Sequence, residues 1–459
     1  MTEPALGKGT AIGARLSIMM FLEFFVWGAW YVTMGPYLAG LKMSGGFIGW
    51  AYSLGPIAAI VSPFFLGMVA DRFFSTERVL ASMHIIGGAA LLAAPAAMQR
   101  DERLFLAAVL VHMLCYMPTL GLTNTLAFHN MTNQEKQFPL IRVWGTIGWI
   151  VANWVISKLT LDTDAGMFYV AGGSAILLGL YSLSLPHTPP PAKGKPFSLG
   201  DAIGLDALSL LRERSFFVFV LCSFLICIPL AAYYSFAGQY VGEVGFREIA
   251  STMSFGQMSE IFFMLVMPLC FARLGVKYML LVGMLAWVVR YGLFSAAADD
   301  LVRWMVLGGI VLHGICYDFF FVTGFIYVDK KASRDIRGAA QGFLVLVTQG
   351  LGMFIGAKAA GMLVDHYKAE NFEELTQTIA AIKQQAADLG GPASDELLRQ
   401  AAELHMQAID WQQVWLVPCL FAGAVMVVFF LFFRDRSVQD GTISEEQVAR
   451  AAEEADAAP

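Results

Sequence analysis

The chain has 459 residues, of which 57% are hydrophobic and only 14% are charged, and its mean hydropathy is +0.62. Soluble domains carry about 25% charged residues, so this composition excludes an ordinary soluble fold and indicates a membrane protein. The 30 basic and 36 acidic residues give a formal net charge of −6, and no basic patch predicts a nucleic-acid partner.

Apolar runs of about 20 residues, the length that crosses a bilayer, recur along the whole chain. We predict twelve membrane-spanning helices, at 14–37, 47–70, 79–98, 104–128, 139–158, 166–185, 216–240, 252–272, 278–297, 303–327, 338–363 and 411–433. Lys and Arg concentrate in one set of loops, so the positive-inside rule predicts that both termini are cytoplasmic. We expect no cleavable signal peptide, because the first apolar run is too long for one.

The spans divide into two groups of six, separated by a Pro-rich, basic stretch. This division predicts an all-α polytopic membrane protein with the major facilitator superfamily fold, in which two six-helix halves enclose a central cavity. The predicted parts are an N-terminal half at 1–186, a cytoplasmic linker at 187–215, helices 7–11 at 216–364, an extracytoplasmic helical hairpin at 365–410, helix 12 at 411–434 and an acidic cytoplasmic tail at 435–459. After helix 2, "GMVADRFF" resembles the superfamily loop motif with Gly67, Asp71 and Arg72.

Charged side chains within the predicted spans are the first candidates for function. Away from the ends of the spans there are six of them: Glu23, Arg142, Glu260, Arg290, Asp318 and Lys358. Each costs about 2.5–3.5 kcal/mol at the centre of a membrane helix, so they must pair or face a wet cavity. For Arg290 and Lys358, structural ion pairing to one of the acids and contact with a solute are both open.

Helical spacing places several polar residues on common faces. Arg142, Thr146 and Trp149 in "RVWGTIGW" fall at i, i+4 and i+7, which predicts a stripe that binds a polar, ring-bearing solute by hydrogen bonds and stacking. The alternative is that Arg142 reaches the lipid headgroups and Trp149 only packs. In the eighth span, Gln257 and Glu260 share a face at i and i+3.

The tenth span contains "HGICYDFFFVTG", with an aspartate in the middle of an apolar run. His313 and Tyr317 lie at i and i+4, and Asp318 lies about 100° further round the helix. A carboxylate in a partly dry cavity can bind and release a proton during a transport cycle. The candidates for this coupling role are Asp318, Glu260 and Glu23.

The other titratable residues within the spans are interpreted as packing residues. This applies to His84, His112 and His129. All six cysteines fall inside predicted spans and none has the spacing of metal ligands, so we predict neither a metal site nor a disulfide, and no cofactor.

Several sequence blocks occur in a characteristic order along the membrane part. They are "FLEFFVWGAWYVTMGPYL", "PTLGLTN", "FPLIRVWGTIGW", "QMSE", "YDFF", "IRGAAQGF" and "DWQQVW". In these blocks the chain resembles the bacterial nucleoside:proton symporters of the major facilitator superfamily. The resemblance implies nucleoside import by proton symport across the cytoplasmic (inner) membrane, by a monomer in the lipid bilayer.

The resemblance also implies a nucleoside site between the two halves. Its residues would be Arg142, Thr146, Gln257, Glu260, Tyr317 and Asp318. A well-known member of the family has a smaller aromatic ring at Trp149, a tyrosine at His313 and a glutamine at Glu23. Its polar residues in helix 7 have no clear match in this chain, and the substitutes there are Tyr233, Tyr234 and Gln239.

Two other functions remain open. A facilitator-type carrier for sugars or other small polar solutes would share the fold and the cavity, and the altered helix 7 favours it. A membrane sensor without transport would suit the acidic hairpin, although the intramembrane charges argue against it. An enzyme is not expected, because the sequence lacks H-E-x-x-H, G-x-S-x-G and phosphate-loop motifs.

Overall fold

The computed structural model describes residues 5–65, 71–131, 133–190, 205–333, 336–389 and 391–434. The N-terminal helices are α1 (Ala5–Gly28), α2 (Met34–Gly40), α3 (Gly45–Phe65), α4 (Asp71–Phe73), α5 (Thr76–Arg100), α6 (Glu102–Asn130), α7 (Gln134–Lys158) and α8 (Gly166–Ser182). The C-terminal helices are α9 (Arg214–Glu243), α10 (Ile249–Ala298), α11 (Arg303–Val311), α12 (His313–Tyr317), α13 (Thr323–Lys331), α14 (Arg337–Val345), α15 (Met353–His366), α16 (Phe372–Leu389), α17 (Gly391–Ala408) and α18 (Trp411–Phe432). Two π-helical turns, Asp318–Val322 and Leu346–Gly352, connect α12 to α13 and α14 to α15.

The predicted all-α membrane fold is confirmed. Within the described ranges, nine helical segments are long and apolar enough to cross a membrane, and α8 is apolar but shorter. The total of twelve spans stays a prediction, as does the division into the predicted parts. Gly67 of the loop motif, residues 191–204 of the linker and the tail 435–459 lie outside the described residues.

The segment α10 consists of two helices that meet at a sharp break, which lies between the predicted spans 252–272 and 278–297. Gly275 makes this break with φ of +63° and ψ of 177°, a backbone conformation that glycine adopts without a steric penalty. The first predicted run, 14–37, is instead divided, because α1 ends at Gly28 and α2 begins at Met34.

The N-terminal helices form one packed group and the C-terminal helices another. In the first group α1 packs on α7, and α5 packs between α6 and α8. In the second, α10 packs on α18 and α9 on α15. The groups meet where α3 crosses α15 and where α7 crosses α10. Glycines allow the first crossing, since a Cβ on Gly45 would lie 2.5 Å from the carbonyl oxygen of Gly361.

At one end of the bundle, two carboxylates cap helices of the opposite group. Asp365, in α15, accepts hydrogen bonds from the N–H groups of Gly45 and Gly46 at 2.7 and 2.6 Å. Asp162, which follows α7, accepts one from Ala250 N–H at 2.7 Å, at the start of α10. A carboxylate at a helix N-terminus satisfies N–H groups that lack partners within the helix and interacts favourably with the helix dipole. These contacts therefore hold the two groups of helices together at this end.

The helices α16 and α17 form a hairpin at the same end. They pack on each other through a small apolar cluster that includes Ile379 and Ala401. Asp395 of the hairpin pairs with Arg247, next to the start of α10, at 2.6 Å. Lys383 Nζ lies 3.0 Å from His405 Nε2, and burial and the charge of Lys383 lower the pKa of His405 to about 3. His405 is therefore neutral at physiological pH.

We expect Asp365→Ala to loosen the contact between α3 and α15. Losing a helix cap costs about 1 kcal/mol, so the population with separated helix ends should rise roughly fivefold. Spin labels at Lys42 and Glu370 report this separation by double electron–electron resonance. Asp388→Ala, which removes a carboxylate of the hairpin, is the control and should leave the distances unchanged. An unaltered distribution in Asp365→Ala would show that the cap does not hold this end closed.

Candidate functional site

A cavity of about 80 Å³ lies between the N-terminal and C-terminal helices. The N-terminal helices line it with Phe24, Trp27, Tyr31, Arg142, Thr146 and Trp149. The C-terminal helices line it with Tyr234, Gln257, Glu260, His313, Tyr317, Gln349 and Met353. Aromatic rings and hydrogen-bonding groups thus surround one space that both groups of helices build.

Most residues predicted to bind the solute meet in this cavity. Seven of them line it: Arg142, Thr146, Trp149, Gln257, Glu260, His313 and Tyr317. Asp318 is not among the described residues that line it, and its side chain is fully buried. Neighbouring residues of a helix point about 100° apart, so Tyr317 faces the cavity while Asp318 faces the packed interior. Direct contact between Asp318 and a solute stays a prediction.

The stripe on α7 lies beside α1, which packs very closely against it and lines the same cavity. A Cβ on Gly145 would lie 2.7 Å from the ring of Phe24, so glycine is needed at this contact. The Arg142 guanidinium carbon lies 4.0 Å from the centroid of the same ring. The Trp149 ring meets the Trp27 ring edge-on, with centroids 5.4 Å apart. Arg142 and Trp149 are thus held by aromatic rings of α1 rather than extended into lipid.

Across the cavity, Glu260 and His313 lie side by side on α10 and α12. Glu260 Oε2 is 3.8 Å from His313 Nε2. Gly314 brings the two helices together, since its N–H donates to Ser259 Oγ at 3.0 Å. A Cβ on Gly314 would lie 2.6 Å from the backbone nitrogen of Glu260. The backbone contact therefore fixes the position of both titratable side chains.

The three substitutes proposed for helix 7 have different surroundings. Tyr234 lines the cavity. Tyr233 lies against His313, with ring centroids 5.5 Å apart and ring planes 18° from parallel. Gln239 lies away from the cavity and donates to Glu243 Oε1 at 2.7 Å. One of the three can therefore touch a solute, and a second supports the histidine that does.

Arg290 and Lys358 contact aromatic rings rather than the acids considered from the sequence. Arg290 is fully buried, and its guanidinium carbon lies 4.1 Å from the centroid of the Tyr233 ring. Its Nε donates to the carbonyl oxygen of Gly309 at 3.0 Å. Lys358 Nζ lies 3.7 Å from the centroid of the Trp50 ring. Each cation–π contact contributes about 0.5–2 kcal/mol, which offsets part of the cost of placing these charges in the membrane.

Glu23 lies behind the cavity wall. Its side chain is fully buried, and Oε2 is 2.8 Å from Nε2 of His84. Oε1 accepts a hydrogen bond from the Thr119 hydroxyl at 2.7 Å. His84, which was expected to be a packing residue, is therefore a hydrogen-bond partner of a coupling candidate.

Five further cavity residues were not selected from the sequence: Phe24, Trp27, Tyr31, Gln349 and Met353. The three aromatic residues fall at i, i+3 and i+7 of α1, so the spacing that selected the α7 stripe would also have selected them. Gln349 is an uncharged polar residue inside an apolar run, which is a weaker signal. Met353 has no sequence signal that separates it from packing residues.

The chain is also similar in sequence and structure to known proteins. The sequence model of the family described as Nucleoside H+ symporter matches residues 10–438. The chain belongs to this family. It is a transporter family, so the expectation that the chain is not an enzyme is confirmed.

Relatives and solved structures cover almost the whole chain. The protein named "Putative nucleoside transporter YegT" from Escherichia coli is 39% identical over 92% of this chain and 94% of its own length. Nucleoside permease NupG from Escherichia coli is 30% identical over 91% of this chain and 94% of its own length. The crystal structure of nucleoside transporter NupG superimposes with a TM-score of 0.77 at 28% identity, covering 93% of this chain and all of that one.

Proposed function

We propose that the protein imports nucleosides across the cytoplasmic (inner) membrane by proton symport, with alternating access to one central site. The observation that carries the proposal is the cavity in which Arg142, Thr146 and Trp149 of α7 face Glu260 and His313. Membership of the nucleoside H+ symporter family supports it. So do the transporters among the relatives, whose names state nucleoside transport.

The cavity has the surfaces that a nucleoside needs. A base is flat and aromatic, and it stacks on or meets the edge of side-chain rings at about 4.5–7 Å. Trp27, Trp149 and Tyr234 offer such rings from both groups of helices. Arg142 adds a planar cation with several N–H donors for the carbonyl oxygens and ring nitrogens of a base.

The opposite wall suits the ribose. Ribose hydroxyl groups both donate and accept, and carboxylate and amide groups are their natural partners. Glu260 and Gln257 lie one helical turn apart on α10, and both line the cavity. His313 and Tyr317 extend this polar wall from α12. A solute that binds both walls would favour closure of one group of helices on the other.

We propose a carboxyl group as the carrier of the transported proton, with Glu260, Asp318 and Glu23 as the candidates. A neutral acid costs far less to bury than a carboxylate, so protonation can accompany closure of the site. Glu260 is in direct reach of a solute. Asp318 would act from behind Tyr317, since its own side chain is fully buried.

We also propose that both termini are cytoplasmic, and that the hairpin of α16 and α17 lies on the outer side. The concentration of Lys and Arg in the loops at the opposite end supports this orientation. A single chain encloses the whole cavity, which supports a functional monomer.

Uptake by the purified protein in lipid vesicles tests the proposal. A pH gradient of one unit can drive about tenfold accumulation of a solute carried with one proton. We expect at least one nucleoside to accumulate when the vesicle interior is alkaline, and a protonophore to abolish the accumulation. Uptake inhibited by sugars but not by other nucleosides would favour the sugar carrier. Nucleoside uptake without any dependence on the gradient would contradict proton symport.

Alanine variants test the assignment of the site. Loss of a charged or buried hydrogen bond costs about 1–3 kcal/mol, so Arg142→Ala and Gln257→Ala should weaken nucleoside binding by roughly 5- to 150-fold. Gln239→Ala removes the same amide group outside the cavity and is the control, with affinity expected to stay within twofold. Equilibrium binding of a labelled nucleoside to the purified variants gives the comparison. Normal affinity in folded Arg142→Ala and Gln257→Ala would reject the assignment.

A further inference from the structure

Glu23 and His84 form a titratable pair inside the N-terminal helices. Their side chains are 0% and 1% exposed, and Glu23 Oε2 lies 2.8 Å from His84 Nε2. The second carboxyl oxygen accepts the Thr119 hydroxyl at 2.7 Å. The Tyr116 hydroxyl donates to the Glu23 backbone carbonyl at 2.8 Å, which anchors α1 to α6 at this position. The pair thus lies within a fixed polar cluster and does not line the cavity.

The charged and titratable groups around the pair come from several helices. On α6, Tyr116 stacks on His112, with ring centroids 5.5 Å apart, and His112 Nδ1 is 3.1 Å from the Gly87 carbonyl oxygen. On α7, Arg142 lies over Phe24, the residue that follows Glu23.

The helix α8 supplies neither an acid nor a strong base to this cluster. Its titratable residues are Tyr169, which is exposed, and Tyr181, whose hydroxyl donates to the Arg15 carbonyl oxygen at 3.0 Å. Arg142 is therefore the cation of the described neighbourhood that can respond both to a solute in the cavity and to the pair.

The net charge of the pair depends on whether it binds one proton. With one proton the pair is neutral overall, whether the proton resides on the carboxyl group or on the imidazole. Without that proton it carries one negative charge, which is costly in a dry interior unless a nearby cation compensates it. The nearest cation that the cavity wall offers is Arg142, which lies over Phe24, the residue next to Glu23.

We propose that Glu23 and His84 form the proton-binding site whose proton accompanies the solute. The inference rests on the proposed symport and names the site of its proton. A solute that engages Arg142 would weaken the compensation of a negative Glu23 and favour proton uptake by the pair. Because the pair is buried, proton exchange with water requires the surrounding helices to move apart, which ties the proton to the conformational cycle.

Glu260, unlike Glu23 and His84, lines the cavity. Because Glu260 can contact the solute itself, a substitution there alters solute binding as well as proton binding. Glu23 is fully buried and does not touch the cavity, so a neutral replacement should spare solute binding. Glu23→Gln keeps the size of the side chain and can still accept from Thr119, while its amide group donates to His84. It removes the ability of the carboxyl group to gain and lose a proton, and with it the negative charge of the unprotonated pair.

Two assays in the same vesicles separate coupling from transport. The first is exchange of labelled for unlabelled nucleoside at equal pH, which needs no net proton movement. The second is accumulation driven by a pH gradient. We expect Glu23→Gln and His84→Gln to retain exchange within about threefold of wild type and to lose at least tenfold in accumulation. Glu77→Gln is the matched control, because Glu77 also pairs with a histidine, His187 at 2.9 Å, at the end of the same helix α5.

Gradient-driven nucleoside uptake by the wild-type protein is measured first. If the wild type shows no gradient-driven uptake of any nucleoside, the proposed function itself fails. If the wild type accumulates nucleoside and folded Glu23→Gln does so equally well, the proton site is elsewhere and only this inference fails. Misfolding of both Glu23→Gln and His84→Gln, judged by gel filtration in detergent, would assign the pair a structural role and would also overturn the inference.

Discussion

The arrangement of this protein depends on how it accommodates charges in a low-dielectric interior. A charge at the centre of a membrane helix costs several kcal/mol unless a partner offsets it. Three cations within the spans lie over aromatic rings: Arg142 over Phe24, Arg290 over Tyr233 and Lys358 over Trp50. Two acids lie beside histidines, Glu23 beside His84 and Glu260 beside His313. Aromatic rings and histidines thus lie against these charged groups.

This choice of partners has a functional consequence. A fixed ion pair between an acid and an arginine would hold the acid permanently charged and the helices permanently joined. An aromatic face stabilises a cation without neutralising it, so the guanidinium of Arg142 can still act on a solute. A histidine can exchange a proton with the carboxyl group beside it. The same side chains can therefore stabilise the fold and take part in a transport cycle.

The sequence predicted those features that depend on one helix alone. The α7 stripe of Arg142, Thr146 and Trp149 follows from the 3.6-residue period, and all three residues line the cavity. The same reasoning placed Gln257 with Glu260. The membrane fold follows from the apolar runs, and the break at Gly275 in α10 falls between the predicted spans 252–272 and 278–297.

Features that depend on packing between helices could not be predicted in this way. The pairing of Glu23 with His84 requires α1 and α5 to be adjacent, and a single sequence does not give that adjacency. The contacts of Arg290 and Lys358 with aromatic rings are another case, because any apolar span offers many rings. Asp318 is a third case. The preceding residue, Tyr317, lines the cavity, but the side chain of Asp318 points elsewhere and is fully buried.

The central claim is that one cavity links the binding of a nucleoside to the binding of a proton. The direct measurement is proton uptake by the purified protein when a nucleoside is added in a weakly buffered solution, followed with a pH indicator. Linkage requires that a solute which favours the protonated state draws protons from solution and binds more tightly at lower pH. We predict uptake of a proton per bound nucleoside near neutral pH. Saturable nucleoside binding with no proton uptake, and with the same affinity from about pH 5 to pH 8, would contradict the account.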